Sequence, residues 1–471
     1  MENNRYILSF VYAIIFILSI ITDSYGALVI LMLLVSIGMI LSQLGKTILL
    51  KEGIILFSTI TCLFAPMLGY QYYPADDRLS KLWGYYMHVP FDEYFGYVIP
   101  ALSVFFFALT YPIKRIGGMQ EHSLIQSIYN SSIPLLQRNK RNAVYLLLIG
   151  MIAHLLGRLL PFEISYIGEL FFYLSFVGLL YIYVVPQMRY KYLWIMVFLA
   201  FLIWDTARGG MFTVIVYMGL TIFSYFFLYK RLSSILKVFL LTTGIMVLMV
   251  IQSIKPVLRL HISHQEADQS NISLLLRYSW EQILDYHQLF SKEALYSVYV
   301  RSNEGMNISL VMSRIPVYQD FDGGNALFLN IVSSFVPRFA WPDKPEAGGK
   351  FNMAYYAGIK LEGWSTNVSP LGEAYGSFGK WGGILYMFFL GLFIRWVYQT
   401  SLKLSFRTPL LLYWLPILFF PVTYAMEADT LQILNSVIKT SVFIWVLYHL
   451  FPAWFGRFRY MVFYKKQAYS R

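Results

Sequence analysis

Gly26 to Gln43 reads GALVILMLLVSIGMILSQ, eighteen residues without one ionisable side chain. As an α-helix rising about 1.5 Å per residue, the run matches the roughly 30 Å hydrocarbon core of a bilayer. Eleven further apolar stretches follow the same rule. They are Tyr6 to Thr22, Gly53 to Tyr70, Phe95 to Ile113, Val144 to Pro161, Ile164 to Pro186, Tyr192 to Ala207, Gly210 to Tyr229, Ile235 to Ile254, Trp381 to Gln399, Pro409 to Ala425 and Leu431 to Leu450. Lipid offers a backbone no hydrogen-bond partners, so spanning segments are helices or closed barrels, and unbroken apolar runs point to helices. Hydrophobic residues make up 58% of the chain and charged residues 13%. Soluble domains carry about a quarter charged residues, so a soluble class is excluded. The expected fold is all-α and polytopic, with about 12 transmembrane helices.

Basic residues set the expected orientation. Arg5, Lys46 with Lys51, the cluster from Lys114 to Arg141, Arg189 with Lys191, and Lys230 to Lys237 fall at every second connection, as do Lys403 and Arg407. A basic tail holds Arg457, Arg459, Lys465, Lys466 and Arg471. Excess Lys and Arg mark the cytoplasmic side, which places both termini in the cytoplasm. The expected organisation is then nine spans in 1–254, one outward-facing loop over 255–380, three spans in 381–456 and the tail 457–471. The net charge of +12 belongs mostly to the cytoplasmic connections and suits anionic lipid headgroups; it is no sign of nucleic acid. Cys62 is the single cysteine, so an internal disulfide and a Cys-based metal site are excluded.

Polar residues inside spans are costly and need partners. Asp205 and Arg208, three apart in the run Asp205-Thr206-Ala207-Arg208-Gly209-Gly210, are either a local ion pair at a turn or a substrate contact. Gln432, Asn435, Ser436 and Lys439 share one helical face, with Glu427 or Asp429 as expected partners for Lys439. His154 and Arg158, with Glu169 across the hairpin, are expected to be structural.

A connector of more than a hundred residues is expected to fold against the helices as a functional element. Leu275, Ile283, Tyr286 and Phe290 recur near helical spacing between Ile272 and Val300, which predicts an amphipathic helix. Arg301, Glu304 and Arg314 follow, then the turn-prone Asp320, Asp322, Gly323 and Gly324. The most distinctive part is Val336-Pro337-Arg338-Phe339-Ala340-Trp341-Pro342-Asp343-Lys344-Pro345, followed by Ser369-Pro370-Leu371-Gly372-Glu373-Ala374-Tyr375-Gly376-Ser377-Phe378-Gly379.

These two runs resemble the outer loop of bacterial Wzy-type polymerases, the repeat-unit polymerases of O-antigen, capsule and exopolysaccharide synthesis. Ala207-Arg208-Gly209 is similar to another feature of that group. The resemblance implies a fold related to the C-type membrane glycosyltransferases in the bacterial inner membrane. It implies inverting transfer, at the outer face, of a growing glycan from undecaprenyl diphosphate onto a new lipid-linked repeat unit. A chain-length regulator and a flippase of the same pathway are the implied partners, and no sugar nucleotide, cofactor or metal is expected.

The residue chemistry is compatible with that reaction. A diphosphate leaving group gathers negative charge, which guanidinium groups meet with paired donors. Arg208, Arg314 and Arg338 are the candidates, with Lys344 secondary. A carboxylate within reach of the acceptor hydroxyl is needed as general base. Glu373 is the first candidate and Asp205 the second, although Glu373 could also cap a helix. Trp341, Trp364 and Tyr375 are candidates for stacking on sugar rings or for anchoring at the membrane interface. An O-antigen ligase shares this plan, but His261, His264 and His287 lack a ligase-like setting. A flippase or transporter built of two similar halves conflicts with the single large loop.

Overall fold

The computed structural model of the 471-residue chain describes residues 3–157, 159, 162–209, 214–264, 277–278, 280, 290–336, 338, 340–362 and 365–457. It is 78% helical, and no strand occurs among the described residues, as an all-α membrane protein requires. Seven helices are long and apolar enough to cross a membrane: Tyr25–Gln43, Leu50–Tyr72, Phe91–Thr110, Tyr166–Val184, Ser369–Arg407, Pro409–Glu427 and Thr430–Leu450. Tyr6–Ile21, Val216–Phe227, Ser234–Val247 and Asn325–Phe335 are shorter apolar helices. The expected segments Val144 to Pro161 and Tyr192 to Ala207 are met by the helices Lys140–Gly157 and Lys191–Gly209.

Several boundaries differ from expectation. The helix Ser234–His264 runs on past Ile254. The first helix after the long connection begins at Ser369, not Trp381, because Pro370 fits a helix's first turn, where its missing N–H has no partner to lose. Ser369–Arg407 is broken once, at Gly379, where φ is +68° and ψ −168°. Glycine alone adopts that conformation cheaply, and a Cβ there would also lie 3.2 Å from the Phe321 ring. Most of the expected amphipathic stretch from Ile272, including Leu275, Ile283, Tyr286 and His287, lies outside the described residues. Its end forms the helix Lys292–Ser302, capped by Ser291 Oγ accepting from Ala294 N at 3.2 Å.

The chain divides into two compact units. One comprises Met1–Pro112, Trp204–Val397 and Phe419–Val437; the other comprises Ile113–Ile203, Tyr398–Leu418 and Ile438–Arg471. In the second, Gly150 and Gly178 let the helices Lys140–Gly157 and Leu174–Val184 meet at backbone distance. A Cβ on Gly178 would fall 2.4 Å from Leu147 N, and one on Gly150 2.4 Å from Ser175 N. Small residues serve this purpose in lipid, where packing holds helices together. Lys439 Nζ lies 4.5 Å from the Tyr166 ring centre. The carboxylates expected as its partners, Glu427 and Asp429, bond groups of the first unit, described below. His154 stacks on Phe172 at 4.3 Å; Arg158 lies outside the described residues.

The first unit holds the candidate site, and its key element is a widened turn. Between Leu50–Thr59 and Ala65–Tyr72 the helix opens into a π-type turn over Ile60–Phe64. Ala65 N bonds Ile60 O rather than Thr61 O, and Pro66 has no N–H to give Cys62 O. Two carbonyls are thereby freed inside a packed helix. Glu304 N takes Thr61 O at 3.1 Å and the Tyr94 hydroxyl takes Cys62 O at 2.9 Å. The long connection is thus hydrogen-bonded directly into a candidate span. A tyrosine cluster extends this docking: Tyr73 stacks on Tyr299 at 4.8 Å, Tyr85 OH donates to Asn303 O at 2.6 Å, and Lys292 pairs with Asp77.

Candidate functional site

Four acidic residues converge in the first unit from segments far apart in sequence. Glu304 precedes the helix Gly305–Arg314, Glu373 lies in the first turns of Ser369–Arg407, Glu427 ends the short turn Ala425–Glu427, and Asp429 precedes Thr430–Leu450. Burial of a carboxylate is costly unless it is hydrogen-bonded or paired. Each of these is.

Glu373 is completely buried. Its Oε1 accepts from Asn330 Nδ2 at 3.0 Å and Asn352 Nδ2 at 2.8 Å, and its Oε2 accepts from Thr430 N at 2.8 Å. Asn330 also donates to Asn352 Oδ1 at 2.9 Å. Glu373 therefore caps a helix, as the sequence allowed, but the helix is Thr430–Leu450, fifty-seven residues further on. Asp429 caps the same helix through Gln432 N at 2.6 Å. Gln432 Oε1 in turn accepts from Asn367 Nδ2 at 3.2 Å.

The other acidic pair centres on Arg301. Arg301 Nη1 donates to Glu427 Oε2 at 3.0 Å, and the Tyr217 hydroxyl donates to Glu427 Oε1. The Arg301 side chain is 34% exposed and that of Glu427 8%. Arg301 is therefore one point at which this group reaches a surface. Glu304 stands beside them, bonded to Asn307 Nδ2 at 3.3 Å, and Asn307 continues to Thr366 Oγ1 at 2.8 Å. The chain from Thr366 to Asn367 joins this group to the Gln432, Asp429 and Glu373 group. The result is one continuous polar seam, fed by the long connection and by three candidate spans.

Burial, and after it the negative charge of Glu427, pushes the Glu304 carboxyl from its usual 4.5 up to about 8. Asp429, also raised mainly by burial, moves from 3.8 to about 6. Arg301 is driven further into its charged form, chiefly by Glu427. Because folded Glu304 holds its proton more tightly than the unfolded chain does, its stabilising effect is complete below about 4.5 and is lost as pH rises through about 8. The melting temperature of detergent-solubilised protein should fall across that interval, and Glu304→Gln should flatten the fall. An equally steep decline in the variant would remove Glu304 as its source.

The expected basic residues have other settings. Arg314 ends the helix Gly305–Arg314, and its guanidinium lies on the backbone of Gly358, where a Cβ would fall 2.2 Å from Nη1. Its Nε is buried and has no hydrogen-bond partner among the described residues. Arg338 is exposed and donates to Pro342 O at 3.2 Å. Lys344 donates to Ser333 O at 2.8 Å and Val336 O at 2.6 Å, closing the carboxyl end of Asn325–Phe335. Arg208 is in the last turn of Lys191–Gly209, with its side chain outside the described residues; Asp205, one turn earlier, is half-buried. Tyr375 is buried between the rings of Tyr97 and Phe321, at 5.0 and 6.0 Å. Trp341 is half-buried, and Trp364 lies outside the described residues.

Among known proteins, the chain matches no family model, no curated protein and no solved structure. The site therefore rests on its own geometry. Sequence inspection singled out Glu373 and missed Arg301 with Glu427 as a pair. The available signal was two charges flanking apolar segments, each too costly to leave alone, but the 126 residues between them gave no register for pairing.

Proposed function

We propose that the chain is a twelve-span inner-membrane polymerase of undecaprenyl-diphosphate-linked repeat units, with cytoplasmic termini, a plan related to the C-type glycosyltransferases and its long connection at the outer face. The observation that carries this reading is the polar seam. The connection that carries the two Wzy-like runs also carries Arg301, Glu304 and Glu373, which bond to Glu427, Thr61 O and Thr430 N on or beside the apolar helices. In the proposed reaction a carboxylate takes the proton of the acceptor hydroxyl while that oxygen bonds the anomeric carbon. The bond to the donor phosphate breaks, and undecaprenyl diphosphate leaves with its electron pair.

Glu373 has no exposure, whereas the Glu427 side chain keeps 8%, so Glu373 serves as an anchor. Glu427, beside the partly open Arg301, takes the role of base, with Asp205 as second candidate. Arg338, exposed, and Arg314, with an unspent buried N–H, are the donors offered to the diphosphate, with Arg208 from the adjoining sequence run. Trp341 and Trp364 remain the candidates for sugar stacking.

The test is gel analysis of surface glycan from cells with the gene deleted, restored, and restored as Arg338→Ala at equal membrane abundance. Single repeat units on the final acceptor after deletion, a ladder with the intact gene and none with Arg338→Ala are expected. Polymer stranded on its lipid carrier would identify a ligase. Repeat units held at the cytoplasmic face would identify a flippase.

A further inference from the structure

The helix Asn325–Phe335 is inside out over its last two turns. Its inward face carries Asn330, Ser333 and Ser334, all buried, with Asn330 bonded to Glu373. Its outward face carries Phe328 and Phe335, 68% and 65% exposed, seven residues apart and therefore aligned. A water-facing helix has the opposite arrangement. The sequence NALFLNIVSSF contains no ionisable residue, and the charged groups it needs stand at its ends. Asp322 accepts from Gly324 N at 2.9 Å and Ala326 N at 2.8 Å at the amino end, and Lys344 covers the carbonyls at the carboxyl end.

The outward face does not end at Phe328. Gly324, where the helix begins, abuts the Phe378 ring, so closely that a Cβ would fall 2.5 Å from it. Trp381, Leu385 and Phe389, 56% to 61% exposed, recur along one side of Ser369–Arg407, a candidate membrane span, after its break at Gly379, and Phe378, 41% exposed, stands just before that break. The exposed aromatic face of the short helix thus continues the exposed apolar face of that span.

We infer that Asn325–Phe335 is embedded in the hydrocarbon of the bilayer, presenting Phe328 and Phe335 to lipid acyl chains and its amide and hydroxyl face to Glu373. Eleven residues cover about 16 Å at 1.5 Å each, so the helix enters the bilayer without crossing it. Such a segment is tolerated at membrane depth only with its backbone ends satisfied by protein, the office that Asp322 and Lys344 fill. The wall of the polar seam is then set by the membrane: lipid on one side of the helix holds Asn330 against Glu373 on the other.

The test uses the full chain in phosphatidylethanolamine and phosphatidylglycerol vesicles. Cys62 is completely buried, so a nitroxide attached to a single added cysteine reports its own position. Phe328→Cys and Phe335→Cys alter exposed side chains, and Glu346→Cys, at a side chain 54% exposed, is the aqueous reference. Collision with oxygen, which concentrates in hydrocarbon, should exceed collision with a water-soluble nickel chelate several-fold at 328 and 335, and the ratio should invert at 346. Nickel-dominated collision at either 328 or 335, matching 346, would overturn the inference.

Discussion

Arg301→Ala should destabilise the protein by about 3 kcal/mol, at the lower end of the range for breaking a buried pair because Arg301 is one-third exposed. The loss is larger than that of the contact itself. Without the guanidinium, Glu427 keeps the Tyr217 hydroxyl, and Glu304 stands beside it without the Arg301 charge. Detergent-solubilised Arg301→Ala should melt at clearly lower temperature than the parent chain. Adding Glu427→Gln should restore much of the loss, since a neutral amide needs no counter-charge and still accepts from Tyr217. A single variant as stable as the parent, or a double variant no better than the single, would show that the pair is peripheral. The same double variant separates stability from chemistry: refolded but unable to form polymer is the outcome expected if Glu427 is the base.

Glu373→Ala should be at least as damaging. It strips the acceptor from Asn330 Nδ2, Asn352 Nδ2 and Thr430 N at once, and each buried donor left unpaired costs about 1 to 3 kcal/mol. Poor accumulation in the membrane is expected. Glu373→Gln should be far milder. With the Asn330 and Asn352 amides both turned, their Oδ1 atoms accept from the new glutamine NH2 and Asn352 Nδ2 donates to Asn330 Oδ1, which now has no partner among the described residues, while the glutamine oxygen faces Thr430 N. Folded, polymer-forming Glu373→Gln is the result expected of an anchor. Folded but inactive Glu373→Gln would return Glu373 to the role of general base.

The short helix Asn325–Phe335 was not legible in the sequence. Its residues lie in a connection whose glycines, prolines and charges all indicate an aqueous loop, and a stretch of eleven residues, seven of them apolar, is too short to register as a span. The inverted faces become visible only once Asn330 is seen to point at Glu373. Arg301 and Glu427 illustrate the same limit. Arg301 groups in the sequence with Glu304 and Arg314, and Glu427 is an expected partner of Lys439; the Thr61 O freed at Ile60–Phe64 holds Glu304 N, and Arg301 three residues earlier meets Glu427.

The sequence alone determined that this is a helical membrane protein with one long polar connection. Apolar length is a local quantity, and a bilayer reads it directly. It also exposed individual costs: Asp205 with Arg208, Lys439, and His154 with Arg158, all within or beside apolar segments. Which carboxylate meets which donor was decided by the tertiary structure. A buried charge specifies that it must have a partner but not which one, and the partners here come from segments dozens to more than a hundred residues away.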